Sequence, residues 1–254
     1  MIRVELSRDA QGSVTALAPM TWDADGWPVI GNNGTIAPVM EMDTLPIHAW
    51  PKPPARDDFD APALDFRWIM LRMPVGDRFY LATRPSWLTI RGNRWSLDKE
   101  HNPAILARRQ EDGDCTVSLA IEAEPQQTGH EAGLTVILCH DHHDELTIVR
   151  DQRRRRRLLL RRRIADLQAV VASSDIPDGL LVLSVEADKF LYRFRWQGVD
   201  GIRHPLGTGG TQGMAAEAAK LNFTGFGRVL DAMTASRTRP TSDQGSPLHQ
   251  VGGA

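Results

Sequence analysis

Long apolar runs are missing from this chain. No stretch of about 18 consecutive apolar residues occurs, so no transmembrane helix is expected. Cysteine is scarce: Cys115 and Cys139 are the whole complement. Two cysteines cannot build a disulfide framework, although one bond between them stays open, and they fit a reducing compartment. The first residues, MIRVELSRDAQG, are polar and lack the apolar segment of a secretory signal, so a cytoplasmic location is expected. An excess of either charge is lacking as well. The formal net charge is −2, which gives no general pull toward nucleic acid or anionic lipid. Familiar catalytic signatures are absent: no GxSxG, no P-loop, no HExxH, and no GxGxxG after a strand. Carboxylates are plentiful, yet nothing in the order of residues pairs two of them across a pocket.

What is present suits a folded β protein. Of 254 residues, 41% are hydrophobic and 24% charged, enough for one large domain or two small ones. Residues 1–35 read as short strands and turns. Residues 38–56 hold five prolines. Proline fixes φ and withholds a donor, so this stretch reads as a linker, with a boundary near Asp57. From there to about Phe226 the pattern has period 2. In CTVSLAIEAE, Cys115, Val117, Leu119 and Ile121 share one face. GLTVILC (133–139) and ELTIVRD (145–151) also read as strands. LLVLSVEAD (180–188) and KFLYRFRWQ (189–197) read as a hairpin turning near Asp188-Lys189, with Phe190, Tyr192, Phe194 and Trp196 on one face. Short strands at this spacing point to an antiparallel sandwich rather than βαβ units. GTGGTQG (207–213) follows no βα unit and reads as a loop. The composition of 237–254 reads as disordered.

Two motifs call for a decision between chemistry and plain structure. RRRRRLLLRRR, Arg153 to Arg163, could be a polyanion patch. Setting its eight arginines aside leaves 22 basic against 32 acidic residues, so the protein can neutralise the run itself. No aromatic residue interrupts it, as a single-strand stacking platform would require. The plain reading is a strand or hairpin arm with Leu158–Leu160 touching the core; a helix through Leu160, Ile164, Leu167 and Val171 is the minor alternative. CHDHHDE, Cys139 to Glu145, is dense in metal ligands. It lies where a hairpin connection belongs. Neighbours on a strand face opposite ways, so His142 and His143 cannot easily share one ion. No metal site is assigned, and a structural calcium is the one ion left open.

TWDADGWPVIGNNG, Thr21 to Gly34, reads as the end of something, and here the residues become familiar. WDADGWPVIGNNG resembles the junction in glycoside hydrolase family 43 β-xylosidases, where a catalytic propeller passes to a C-terminal sandwich. DDFDAPALDFRWIMLRMP (57–74) resembles the opening of that concanavalin-A-like domain. TRPSWLTIRGN (83–93), ILARRQEDGDCTVSLAIE (105–122), AGLTVILCHDHHDELTIVRD (132–151), IPDGLLVLSVEADKFLYRFRW (176–196) and NFTGFG (222–227) are similar to its later segments. The resemblance spans about residues 13–235.

It implies an all-β, concanavalin-A-like antiparallel β-sandwich of jelly-roll type at 57–235. Residues 1–56 would be a propeller-end remnant and linker, and 236–254 a disordered tail. It implies an accessory domain of a β-xylosidase or arabinofuranosidase that lacks the propeller's catalytic carboxylates and is inactive alone. No catalytic residue or cofactor is carried over. The family's pocket-closing loop corresponds to Leu71–Phe79, with Met73, Val75, Asp77 and Phe79 as candidate pocket residues. The implied partners are a separately encoded propeller and a xylo-oligosaccharide or pentoside; a homo-oligomer is left open. One alternative is a free-standing carbohydrate-binding module stacking sugars on Trp68, Trp87, Trp95 or Trp196. Polyanion binding through Arg153–Arg163 is the second alternative. The chain after Phe226 departs from the family's closing strand, which suggests an open sheet edge, marginal stability, and a truncated gene product or stand-alone module.

Overall fold

The computed structural model describes residues 18–37, 40, 50–51, 54–72, 78–215 and 218–219, together with the strand backbones 229–237 and 248–253. The chain divides into two compact units, Met1–Pro54 and Ala55–Ala254. Among the described residues, no helix is long and apolar enough to cross a membrane.

In the first unit, β1 (Met20–Trp22) pairs antiparallel with β2 (Pro28–Ile30), Met20 opposite Ile30 and Trp22 opposite Pro28. The Asp23 carboxylate accepts from the backbone N–H groups of Asp25 (3.0 Å) and Trp27 (2.8 Å) and so closes the connecting turn. Gly26 takes φ +81° there, a conformation glycine adopts without steric cost. The clustered turn formers of TWDADGW thus make one small hairpin.

Among the described residues, the second unit holds thirteen strands. They are β3 (Phe79–Arg84), β4 (Trp87–Arg91), β5 (Ala104–Arg109), β6 (Cys115–Glu122), β7 (His130–Cys139) and β8 (His142–Arg150). Then come β9 (Arg156–Ile164), β10 (Leu167–Asp175), β11 (Leu181–Ala187), β12 (Leu191–Gln197), β13 (Arg203–Gly210), β14 (Val229–Arg237) and β15 (Leu248–Gly253). One sheet has the order β10-β9-β8-β7-β14-β5 and the other β13-β12-β11-β6-β15-β4-β3. All the pairings are antiparallel. This is the all-β sandwich expected from the period-2 pattern.

One continuous core lies between the sheets. Leu119, Ile121, Leu183, Val185, Tyr192 and Phe194 enter it from the seven-stranded sheet; Leu134, Val136, Leu146, Ile148, Leu158 and Leu160 enter from the six-stranded one. Each fully buried side chain of this size stabilises by about 1.5–3 kcal/mol. Alternation decides which residues enter. On β9, Arg156, Leu158 and Leu160 are buried while their odd-numbered neighbours are only partly so. From Arg156 onward the arginine run is therefore a strand, with Arg153–Arg155 in the turn before it, and the helical alternative falls.

Three expectations need correction. GTGG (207–210) is not a loop but the end of β13, followed by a single 3-10 turn, Thr211–Met214. Gly207 and Gly209 serve close packing: a Cβ on Gly209 would lie 2.4 Å from Asp144 Oδ2 and 2.5 Å from Arg162 Nη2, and one on Gly207 2.7 Å from Leu160 Cδ2. Phe190 does not share the buried face of Tyr192, Phe194 and Trp196; it sits in the turn, 61% exposed. The tail is not structureless throughout, since Leu248–Gly253 forms β15 between β4 and β6. Together with β14 between β7 and β5, it removes the open edge expected after Phe226. LHQVGG is short and rich in glycine, and its strand form comes from neighbours on both sides rather than from its own propensity.

Candidate functional site

Strand β3 ends the seven-stranded sheet, and beside it lies an open groove of about 600 Å³. Pro62, Ala63, Leu64, Met70, Phe79 and Leu81 are among its lining residues. Phe79 is half-buried and packs on the core cluster, so its ring is held from behind while one side faces the groove. Met73, Val75 and Asp77 lie outside the described residues. Of the four candidate pocket residues, Phe79 alone can thus be placed, at the groove.

Each of the tryptophans named for sugar stacking has a partner on its ring. Trp68 stacks on Phe59 at 5.6 Å and donates its indole N–H to Asp57 Oδ2 at 2.6 Å. Arg84 sits 4.0 Å from the Trp87 centroid. Trp95 lies against His101 at 3.7 Å, with Arg94 4.4 Å from its centroid. Trp196 is buried and stacked on His204 at 4.3 Å.

Six of the run's eight arginines are bound by the protein's own acids and carbonyls, and Arg153 and Arg154 are exposed. Arg155 pairs with Asp151 at 3.0 Å and Arg157 with Asp175 at 3.1 Å. Arg162 grips Asp144 through two N–H groups at 2.8 and 3.2 Å. Arg161 grips Glu131 at 2.9 and 3.0 Å and reaches Glu145 at 3.4 Å. Arg163 reaches Asp98 at 3.3 Å. Arg156 is buried and donates to the carbonyls of Ala123, Pro177 and Gly179. Most of the run's charge is thus paired within the protein, with Arg153 and Arg154 left exposed.

The CHDHHDE segment splits across the sheet, as strand alternation requires. His142 joins Cys139 and Asp141. The Cys139 thiol donates to Asp141 Oδ1 at 2.9 Å, and His142 Nδ1 is 3.0 Å from the same oxygen. Burial, reinforced by Asp141, pushes the Cys139 thiol up to about 12. Burial works against ionisation of Asp141 too, but its bonds from Cys139 and His142 outweigh that and bring it down to about 2.

His143 faces the other way, toward Glu145 on the same strand and Asp98 in the β4–β5 loop. Its Nε2 is 3.0 Å from Glu145 Oε1 and 3.5 Å from Asp98 Oδ1. Its Nδ1 is 3.4 Å from the Cys139 carbonyl oxygen. Burial alone would lower the His143 pKa, but the two facing carboxylates overcome it and raise it to about 9. Burial also opposes charge on Asp98, yet His143, Gln168 and Arg163 hold it below the usual carboxylate range. Burial raises Glu131 despite Arg161. No pattern in the sequence connects Asp98 to His143: they are far apart along the chain, and a loop without a motif brings them together.

These buried carboxylates are bound by arginine or histidine rather than spanning a glycan-sized opening. Glycoside hydrolysis uses two carboxyl groups set across a substrate opening, an arrangement these described carboxylates do not make.

A family model described as the beta xylosidase C-terminal concanavalin A-like domain matches residues 56–239. Non-reducing end alpha-L-arabinofuranosidase BoGH43B of Bacteroides ovatus is 30% identical over 215 residues, covering 84% of this chain and 40% of that protein. Xylan 1,3-beta-xylosidase of a Vibrio species is 28% identical over 74% of this chain and 36% of its own length. Among solved structures, the Bacteroides ovatus xyloglucan GH43B protein superposes with TM-score 0.81 at 28% identity, covering 93% of this chain and 46% of that one. A xylan beta-1,4-xylosidase from Bacillus halodurans shares the fold with TM-score 0.82 at 24% identity, over 93% and 45% of the two chains. The chain spans less than half the length of each of these relatives.

Proposed function

The chain belongs to the family of beta xylosidase C-terminal concanavalin A-like domains, and from that premise we propose that it shapes the glycan pocket of a family 43 catalytic propeller. The pentoside substrates are those of β-xylosidases and arabinofuranosidases. The propeller supplies the acid and the base; this sandwich supplies a wall. The observation that carries the reading is the family match over residues 56–239 combined with the groove beside β3, where Phe79 is held against the core. A ring fixed from behind presents its free face to a sugar at little entropic cost. The partners held on the tryptophan rings and the pairing of six of the run's arginines favour this role over a free-standing sugar binder or a polyanion binder.

The test supplies the chain to a separately expressed family 43 propeller and follows hydrolysis of an aryl β-xyloside and an aryl α-arabinofuranoside. The chain alone is expected to be silent, and kcat/KM of the propeller is expected to rise on mixing. Phe79→Ala is expected to lessen that gain by more than its lowered melting temperature accounts for, since truncating a ring packed on the core also costs stability. Hydrolysis by the chain alone, or mixing that changes nothing although the two proteins bind, would overturn the proposal.

A further inference from the structure

The Asp98–His143–Glu145 cluster goes beyond the glycan reading and does not depend on it. Nε2 of His143 and Oε1 of Glu145 are both deeply buried, 0% and 5% exposed by residue. They lie 3.0 Å apart, yet neither makes a hydrogen bond of acceptable direction. Asp98 Oδ1 completes a triangle in which the three ligand atoms lie within 4.8 Å of one another. With Nδ1 directed at the Cys139 carbonyl, a neutral imidazole carries its hydrogen on Nδ1 and aims the Nε2 lone pair at two carboxylate oxygens. Arg163 lies 3.3 Å from Asp98 Oδ1 and Arg161 3.4 Å from Glu145 Oε2, but the point where the three atoms converge still calls for a positive charge between them. A proton on Nε2 is one source of that charge and a metal ion is the other; the missing hydrogen-bond partners at Nε2 and Oε1 leave both atoms available as ligands.

We propose that Asp98, His143 and Glu145 form a structural site for a divalent first-row transition ion, with zinc as the reference metal. The spacing fits. Tetrahedral zinc holds nitrogen and oxygen ligands at about 2.0–2.2 Å, which sets ligand atoms about 3.3 Å apart; the distances here are 3.0 and 3.5 Å. One imidazole and two carboxylates suit zinc and its neighbours better than calcium, which prefers six or more oxygens. The surroundings hold the ligands in place. Gln168 donates to Asp98 Oδ1 at 2.8 Å, Arg161 reaches the other oxygen of Glu145, and the Cys139 carbonyl orients the imidazole, the support that metal-bound histidines ordinarily have. A bound ion ties the β4–β5 loop to the face of β8, and a water completes the shell.

The experiment uses the full chain, free of tag and stripped with chelator, titrated with zinc chloride in a calorimeter and then with cobalt(II) in a spectrophotometer. The expected result is one zinc per chain and a higher melting temperature. Cobalt should give the visible bands of a tetrahedral nitrogen–oxygen site without thiolate charge transfer. Asp98→Asn and Glu145→Gln are each expected to weaken zinc at least about tenfold, while Cys139→Ser leaves it unchanged. No saturable binding by the unaltered chain overturns the site, as does a thiolate band or loss of binding in Cys139→Ser, which would transfer the metal to Cys139, Asp141 and His142. Variants that fail to fold leave the stoichiometry and the cobalt spectrum of the unaltered chain to decide.

Discussion

Arg156 and Arg157 are adjacent in sequence and identical in chemistry, yet they do unlike work. Arg156 points into the sandwich and donates to carbonyls of Ala123, Pro177 and Gly179, tying two loops to β9. Arg157 points outward to Asp175, whose side chain is 65% exposed. Replacing Arg156 with Met leaves buried carbonyls without donors, and urea unfolding is expected to show a loss of about 3 kcal/mol or more. Arg157→Met should stay within about 1 kcal/mol, because exposed pairs contribute little. Equal losses would mean that the inward arginine is not what closes the loops. Cys139 gives a second contrast. With its thiol pushed up to about 12, the reactive thiolate is nearly absent at pH 8. Iodoacetamide is expected to label Cys139 at least about a hundredfold more slowly in the native protein than in urea, read by mass spectrometry.

At the scale of strands, β13 shows how a glycine-rich segment fits into a sandwich. Gly209 lies where the β13 backbone crosses the Asp144–Arg162 pair. A Cβ on Gly210 would meet nothing within 4 Å. Gly209→Ala must push apart a bidentate buried ion pair and is expected to cost about 2–4 kcal/mol, whereas Gly210→Ala should be close to neutral. Thermal melts of the two variants, side by side, decide it. Much of this level was legible beforehand. Alternation placed Leu119 and Ile121 inside, made the arginine run a strand from Arg156 onward, and put His142 and His143 on opposite faces. GTGG was not legible, because glycine carries no periodic signal and its role depends on the strand opposite. Nor was Asp98, since a loop residue's partner is set by tertiary packing. β15 was missed because a short strand paired on both sides needs little propensity of its own.

For the whole molecule, the sandwich depends on its last strand. β15 pairs with β4 along Leu248–Gly252 and with β6 along Gln250–Gly253. Removing residues 248–254 separates β3 and β4 from the rest of the seven-stranded sheet and leaves two unpaired edges, which invite association between chains. The shortened chain is expected to lose its cooperative melt and to sediment as aggregates, while the full chain does neither. A sharp monomeric transition in the shortened chain would show that β4 and β6 close on one another without it.

That same placement bears on the order of events during synthesis. A ribosome makes β4 and β6 long before β15, and β5 and β7 long before β14, yet each late strand lies between the two early ones. Neither sheet can be completed by adding strands in the order they emerge. Both must wait, with a gap, for the last segment of the domain. Loop closure over such separations is slow, so the nascent sandwich spends its longest interval with the interior edges of both sheets open.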